Sequence, residues 1–232
     1  MEIIAEIGQN HNGDMALAKR LIREAHDRGA DVAKFQLYDA RALFPRENNP
    51  WFNYNCRTEL SRNDVESLAR ECEAVGIEFM ASVFDVERIG WLEAVGIRRH
   101  KIASRSIRDE ALIGAVAATG KRLLVSLGLW GEPDFPQIDA PGGVDFLYCV
   151  SKYPTELDDL AFGKIDFRRY TGFSDHTIGL EAPMIALARG ARIIEKHFTV
   201  DKEMYGPDHS GSMTPEELGR LKQFVGALEQ AL

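Results

Sequence analysis

The segment GFSDHT, residues 172–177, sets Ser174, Asp175 and His176 side by side, the residue types of a hydrolytic triad. A second segment, RIIEKHF at 192–198, places Glu195 and His197 two residues apart. Both read as β-strands, along which side chains alternate between faces. Ser174 and His176 therefore share a face while Asp175 takes the other, which splits a Ser–His–Asp relay across the sheet. No G-x-S-x-G elbow occurs in the chain, so hydrolysis is disfavoured. The same alternation puts Glu195 and His197 together. Neighbouring parallel strands run about 4.8 Å apart, so His176 and His197 at matching heights can share one borderline divalent ion such as manganese, iron, cobalt or zinc. Water and substrate oxygens would complete its coordination. Two rim histidines with unrelated roles are the competing reading.

Such residues need a scaffold that brings strand ends together. Short β-branched or apolar runs occur at 2–8, 31–36, 78–84, 98–104, 122–128, 144–151, 170–176 and 192–199. Most are separated by helical patterns, with Val65, Leu68, Ala69 and Cys72 on one face and Leu180, Met184, Leu187 and Ala188 on another. The last helix opens on Thr214-Pro215-Glu216-Glu217, a capping box with proline in its first turn, and carries Leu218, Leu221, Phe224, Val225 and Leu228 on one stripe. Strands alternating with helices predict a (β/α)8 TIM barrel as a single domain over residues 1–232, with a doubly wound sheet as the alternative. The glycine- and proline-rich stretch 129–143 predicts that the fifth helix is reduced to a loop. Residues 37–60, with Tyr38, Phe44, Trp51, Phe52 and Tyr54, predict a long loop, either disordered or a lid over an active site.

Polar residues gather at the carboxyl ends of these strands: Glu6, Lys34, Gln36, Lys101, Ser104, Ser126, Ser151, Ser174, His176, Glu195 and His197. That rim is the catalytic face of a barrel. A strand-end lysine can simply extend to water and a serine can satisfy a carbonyl, so convergence at one rim carries the case.

Composition limits the partners. Acidic side chains number 36 against 28 basic ones, a formal charge of −8, with no run of like charges that would mark a nucleic-acid or membrane surface. An anionic substrate must be met by a few local cations. Cys56, Cys72 and Cys149 form neither a C-x-x-C pair nor a disulfide framework, and the amino terminus has no secretory pattern, so a cytoplasmic protein is expected.

The segments IAEIGQNHNGD (4–14), ADVAKFQ (30–36), KIAS (101–104), CVSKYPT (149–155), GFSDHTIG (172–179) and IIEKHFTVDKEMYGPDHSGSMTPEEL (193–218) resemble the sialic acid (N-acetylneuraminate) synthase family, which includes legionaminic, pseudaminic and spore-coat polysaccharide synthases. The resemblance follows the family's order over nearly the whole chain. It implies condensation of phosphoenolpyruvate with an N-acetylated amino-hexose of the N-acetylmannosamine type. The products would be phosphate and a nine-carbon 2-keto acid. It further implies that His176 and His197 hold a divalent metal, Mn2+ foremost with Mg2+ or Co2+ as alternatives. Lys34, Lys101, Ser104, Ser126 and Ser174 would bind phosphoenolpyruvate, with Ser151 where the family often has asparagine. Glu6 and Gln36 would sit near the reacting centre, Glu6 as the carboxylate that handles protons, and Tyr153 and Asp208 would contact the sugar.

Two departures bear on the acceptor. After KIAS the family usually has Gly-Glu, where this chain has Arg105-Ser106. Typical members also continue into a small antifreeze-like domain that reaches across a dimer. The sequence stops at Leu232, so the expectation is a barrel without that domain. Pairing as a homodimer, or supply of the module by a separate chain, would complete it. A related condensing enzyme with another aldose acceptor, and a catalytically silent sugar-acid-binding barrel, are the alternatives.

Overall fold

The computed structural model describes all residues, 1–232. Eight parallel strands close in chain order: β1 (Glu2–Gly8), β2 (Val32–Leu37), β3 (Glu78–Val83), β4 (Arg99–Ile102), β5 (Arg122–Ser126), β6 (Val144–Cys149), β7 (Gly172–Asp175) and β8 (Ile193–His197). β8 returns to β1 with Glu6 in register with His197, and the (β/α)8 barrel expected from the sequence is what forms.

Its helices are α1 (Met15–Asp27), α2 (Ala40–Leu43), α3 (Phe52–Arg57), α4 (Arg62–Val75), α5 (Val86–Ala94), α6 (Glu110–Ala117), α7 (Glu181–Ala188) and α8 (Pro215–Ala231). Local chemistry sets their ends. Asp14 accepts the amide protons of Ala16 and Leu17 at the start of α1, which then buries Ala18, Leu21, Ile22 and Ala25 at helical spacing. Ser61 with Asp64 on α4, and Thr214 with Glu217 on α8, form reciprocal capping boxes. Substituting a capping serine or threonine by alanine typically costs about 1 kcal/mol. Helix α4 stops at Gly76, whose φ of 86° an L side chain would resist.

Inside the barrel, residues two apart along each strand stack in layers. At the amino-terminal end Arg99 pairs with Glu2 at 2.6 Å and with Glu78 at 3.0 Å. Above it Ile4, Val32, Met80, Leu124, Leu147 and Ile193 form a small apolar plug. Two residues further along, the same strands present Glu6, Lys34, Ser82, Ser126, Cys149 and Glu195. The larger apolar core lies outside the strands, between them and the helices.

Several expectations need correction. No helix follows β5, as expected, but none follows β6 either: that crossover holds only 3₁₀ turns at Leu157–Leu160 and Phe162–Lys164. An aromatic cluster covers the gap, with Phe135 4.8 Å from Phe146 and 4.7 Å from Tyr170, and Phe162 5.2 Å from Phe173, between ring centroids. Residues 37–60 are not a structureless loop, because Asp39 caps α2 and the stretch also folds into α3. Tyr38 and Tyr54 are buried there, with Gln9 Nε2 donating to the Tyr38 hydroxyl at 2.8 Å and the Tyr54 hydroxyl donating to the Gln9 carbonyl at 2.9 Å. On α7 Leu187 is buried with Ala182, Pro183 and Ala186, Leu180 just before the helix is buried and Met184 packs against the core, but Ala188 is exposed. No helix is long and apolar enough to cross a membrane.

Candidate active site

A cavity of about 680 Å³ opens at the carboxyl end of the barrel, and all twelve site residues expected from the sequence line it. Its floor is a layer of buried charge. The Lys34 ammonium lies 2.7 Å from Glu6 and 3.5 Å from Glu195, and donates to the Ser82 hydroxyl at 3.1 Å. The Lys101 ammonium lies 3.5 Å from Glu195 and donates to the Ser126 hydroxyl at 2.8 Å and the Ile102 carbonyl at 3.2 Å. Ser174 donates to Glu195 at 2.9 Å, and Gln36 Nε2 donates to Glu6 at 2.8 Å.

The two lysines shift in opposite directions. Burial works against both charges, but Glu195 and Glu6 outweigh it at Lys34, whose pKa is raised. At Lys101 burial prevails, helped by the like charge of Lys34, and the pKa is lowered. Burial alone would raise the Glu195 carboxyl, yet Lys101 and Lys34 hold it down to about 2. Paired groups with divergent shifts in a cleft mark a functional site.

Gly128, just past β5, faces three polar heads. A Cβ placed on it would lie 2.4 Å from Ser151 Oγ, 2.9 Å from Cys149 Sγ and 2.9 Å from Ser104 Oγ. Its amide donates to Ser104 Oγ at 3.0 Å. No side chain fits there, so the Gly128 backbone packs directly against the Ser104 and Ser151 hydroxyls and the Cys149 thiol, all three of which line the cavity.

The histidines stand at the rim, ring centroids 6.1 Å apart. His176 Nδ1 lies 2.8 Å from the Val150 carbonyl, which can only accept, so that nitrogen carries the proton. Burial lowers the His176 pKa, leaving the ring neutral with its Nε2 lone pair directed at the Tyr153 hydroxyl, 2.8 Å away. His197 Nδ1 is buried without a hydrogen-bond partner. No group of three or more His, Cys, Asp or Glu is placed to enclose an ion.

Asp175 takes no part in this set. Its carboxylate pairs with Lys196 at 2.6 Å, both fully buried, and accepts the Thr177 amide proton at 2.8 Å. The strand alternation read from the sequence thus separates it from Ser174 and His176.

Several cavity residues were not among the expected site residues. Ser82 and Glu195 complete the charge layer; Glu195 was legible only as a face-mate of His197 until the register set it between two lysines. Phe44, Trp51 and Asn55 come from the 37–60 stretch. Arg105 lines the mouth with its guanidinium 5.1 Å from the Phe44 ring centroid. Ser106 is buried and adds no carboxylate.

Fold and site together define a (β/α)8 barrel with two lysines and two carboxylates buried at the floor of its carboxyl-end cavity and two histidines at the rim. The chain belongs to the NeuB family, whose profile matches residues 21–232. It is 34% identical to the N,N'-diacetyllegionaminic acid synthase of Legionella pneumophila, over 99% of this chain and 72% of that protein. It is 32% identical to the human N-acetylneuraminate-9-phosphate synthase, over 99% and 70% of the two chains. The crystal structure of the N-acetylneuraminic acid (sialic acid) synthetase of Leptospira borgpetersenii in complex with citrate superposes with a TM-score of 0.89 at 33% identity, covering 99% of this chain and 84% of that one.

Proposed function

We propose that the protein condenses phosphoenolpyruvate with an N-acetylated hexosamine of the N-acetylmannosamine type, releasing phosphate and forming a nonulosonic acid. The observation that carries this reading is the buried Lys34–Glu195–Lys101 layer, with the Ser82, Ser126 and Ser174 hydroxyls bonded to it, at the floor of the cavity. The relatives named as legionaminic acid and N-acetylneuraminate-9-phosphate synthases support the same class of reaction.

Phosphoenolpyruvate carries about three negative charges, and an acidic protein must meet them with cations held in a low-dielectric pocket. An ammonium has three donors. Lys34 faces Glu6, Ser82 and Glu195, and Lys101 faces Ser126, the Ile102 carbonyl and Glu195, so an arriving anion must take over one of these contacts, the 3.5 Å ones to Glu195 being the longest. Ser104, Ser126, Ser151 and Ser174 offer neutral donors to phosphate and carboxylate oxygens. In the reaction the methylene carbon of phosphoenolpyruvate bonds to the aldehyde carbon of the open-chain sugar. Water then adds to the second carbon, and phosphate departs with its bridging oxygen. Glu6, anchored by Lys34 and Gln36, is the carboxylate placed to accept the proton from that water. Tyr153 and Asp208 border the mouth, where the sugar would lie.

The rim suits a divalent metal, Mn2+ before Mg2+ or Co2+: His176 presents an Nε2 lone pair that the Tyr153 hydroxyl would have to release, with its other nitrogen locked to a carbonyl, and His197 has a buried nitrogen lacking a partner. When bound, such an ion would polarise the aldehyde oxygen of the acceptor. The free cysteines agree with a reducing, cytoplasmic setting.

Mass spectrometry of the products from phosphoenolpyruvate, Mn2+ and a mixture of N-acetylated hexosamines tests the proposal. A new species equal to sugar plus pyruvate supports it, and unreacted phosphoenolpyruvate with every sugar refutes it. One feature favours a second reading, condensation onto a different aldose: Arg105-Ser106 puts a cation, and no carboxylate, beside the acceptor end of the cavity.

A further inference from the structure

Charged side chains in the cavity pair off, apart from Arg105 and the Asp208 carboxylate. Lys34 meets Glu6, Lys101 meets Glu195, and Lys196 meets Asp175. Arg105 is the cation left over. It forms no ion pair with any carboxylate, and burial lowers its pKa with only the Tyr153 hydroxyl group opposing. The guanidinium lies over the Phe44 face at 5.1 Å, lines the cavity and donates a hydrogen bond to no protein group. A partly desolvated, pre-oriented guanidinium without a carboxylate is a receptor for a planar or tetrahedral oxyanion.

Depth decides which substrate that anion belongs to. Lys34 and Lys101 are 2% exposed on the cavity floor, whereas Arg105 stands at the open mouth. Phosphoenolpyruvate is short and is held by the floor, where its methylene must meet the acceptor aldehyde. The acceptor then runs outward, and the end remote from its aldehyde reaches the mouth.

We propose that Arg105, held against Phe44, clamps an anionic group, phosphate or carboxylate, on the end of the acceptor sugar remote from the aldehyde. The chain thereby selects an acidic aldose over a neutral one. This rests on the condensation reading for the sugar's orientation, and the test separates the two.

Binding is measured by calorimetry with N-acetylmannosaminitol, its 6-phosphate and its 6-carboxylate analogue, which lack the aldehyde and cannot react. Turnover is measured with the corresponding aldoses. The intact chain is expected to bind at least one anionic alditol about 10-fold or more tighter than the neutral one, with a preference that weakens as salt rises. Arg105→Gln should erase the preference and raise KM for the anionic aldose about 10-fold or more, with KM for phosphoenolpyruvate within about 2-fold of the original. Arg105→Lys should restore part of it, because a point charge lacks the fork geometry. Equal binding of all three alditols, or a rise in KM for phosphoenolpyruvate instead, overturns the proposal. Selective binding without product from any aldose upholds the clamp and refutes the condensation reading.

Discussion

Asp175 is the residue on which a triad reading and a scaffold reading of GFSDHT part company. Asp175→Asn is nearly isosteric and keeps an oxygen for the Thr177 amide proton, but it removes the charge facing Lys196 across 2.6 Å. Lys196 then remains buried with only the Thr177 carbonyl for company. Removing one partner of a buried pair costs about 3–5 kcal/mol, because the surviving charge is left desolvated. For a chain of this size each kcal/mol lowers Tm by about 2–4 °C, so the expected loss is about 6–20 °C. Asp175→Asn combined with Lys196→Met replaces both charges by neutral groups of similar volume and should recover most of the loss. Circular dichroism melts give the stability. Phosphoenolpyruvate consumption per folded molecule, measured well below the lowered Tm, gives the chemistry. A drop in Tm with turnover retained within about 10-fold agrees with an anchoring role. Unchanged stability with turnover abolished would refute the reasoning and return Asp175 to the reaction.

Gly128→Ala should raise KM for phosphoenolpyruvate and cost about 1–3 kcal/mol on a urea denaturation curve, because the methyl group has no room and must push the Ser104 and Ser151 hydroxyls and the Cys149 thiol aside; an unchanged KM would remove those hydroxyls from the binding site. His197→Ala should keep its far-ultraviolet spectrum yet lose metal-stimulated turnover, and full activity of the original chain after exhaustive chelation would exclude a metal role. Lys101 has its pKa lowered on folding, so its charge is lost at a lower pH than that of an ordinary lysine. The alkaline limb of kcat/KM for phosphoenolpyruvate should therefore fall below pH 10.5. Lys101→Arg stays charged and should remove that limb at the cost of overall affinity, and an identical pH profile in this variant would show that another group sets it.

The barrel was legible because each strand is a short β-branched run closed by a turn, and because polar residues recur where those runs end. That second pattern also located the site: strand alternation alone put Ser174 with His176 and Glu195 with His197. What the sequence withheld depends on register. Glu195 sits between Lys34 and Lys101 only once β8, β2 and β4 take their places around the barrel. Gly128 packs tightly against Ser104, Cys149 and Ser151, and a glycine in a sequence does not say what faces it. The missing helix after β6 was not foreseen, since nothing in 150–171 matches the density of glycine and proline in 129–143. Residues 37–60 looked like a loop because their polar anchors, Gln9 and Asn12, lie in a distant part of the chain.

Where β5 and β6 would each be followed by a helix, coil and aromatic rings form the outer wall instead. Coil leaves backbone amides closer to water and makes fewer cooperative contacts, so this sector should exchange its amide hydrogens before the helix-clad half of the barrel. Ser126, Gly128, Ser151 and Tyr153 are built on that sector, whereas Glu6, Lys34 and His197 stand on the opposite, fully clad strands. The cavity is therefore half rigid and half able to breathe. A ligand that bridges the two halves would draw the loose sector into the stable one, and its arrival would register as slowed exchange in strands it does not touch.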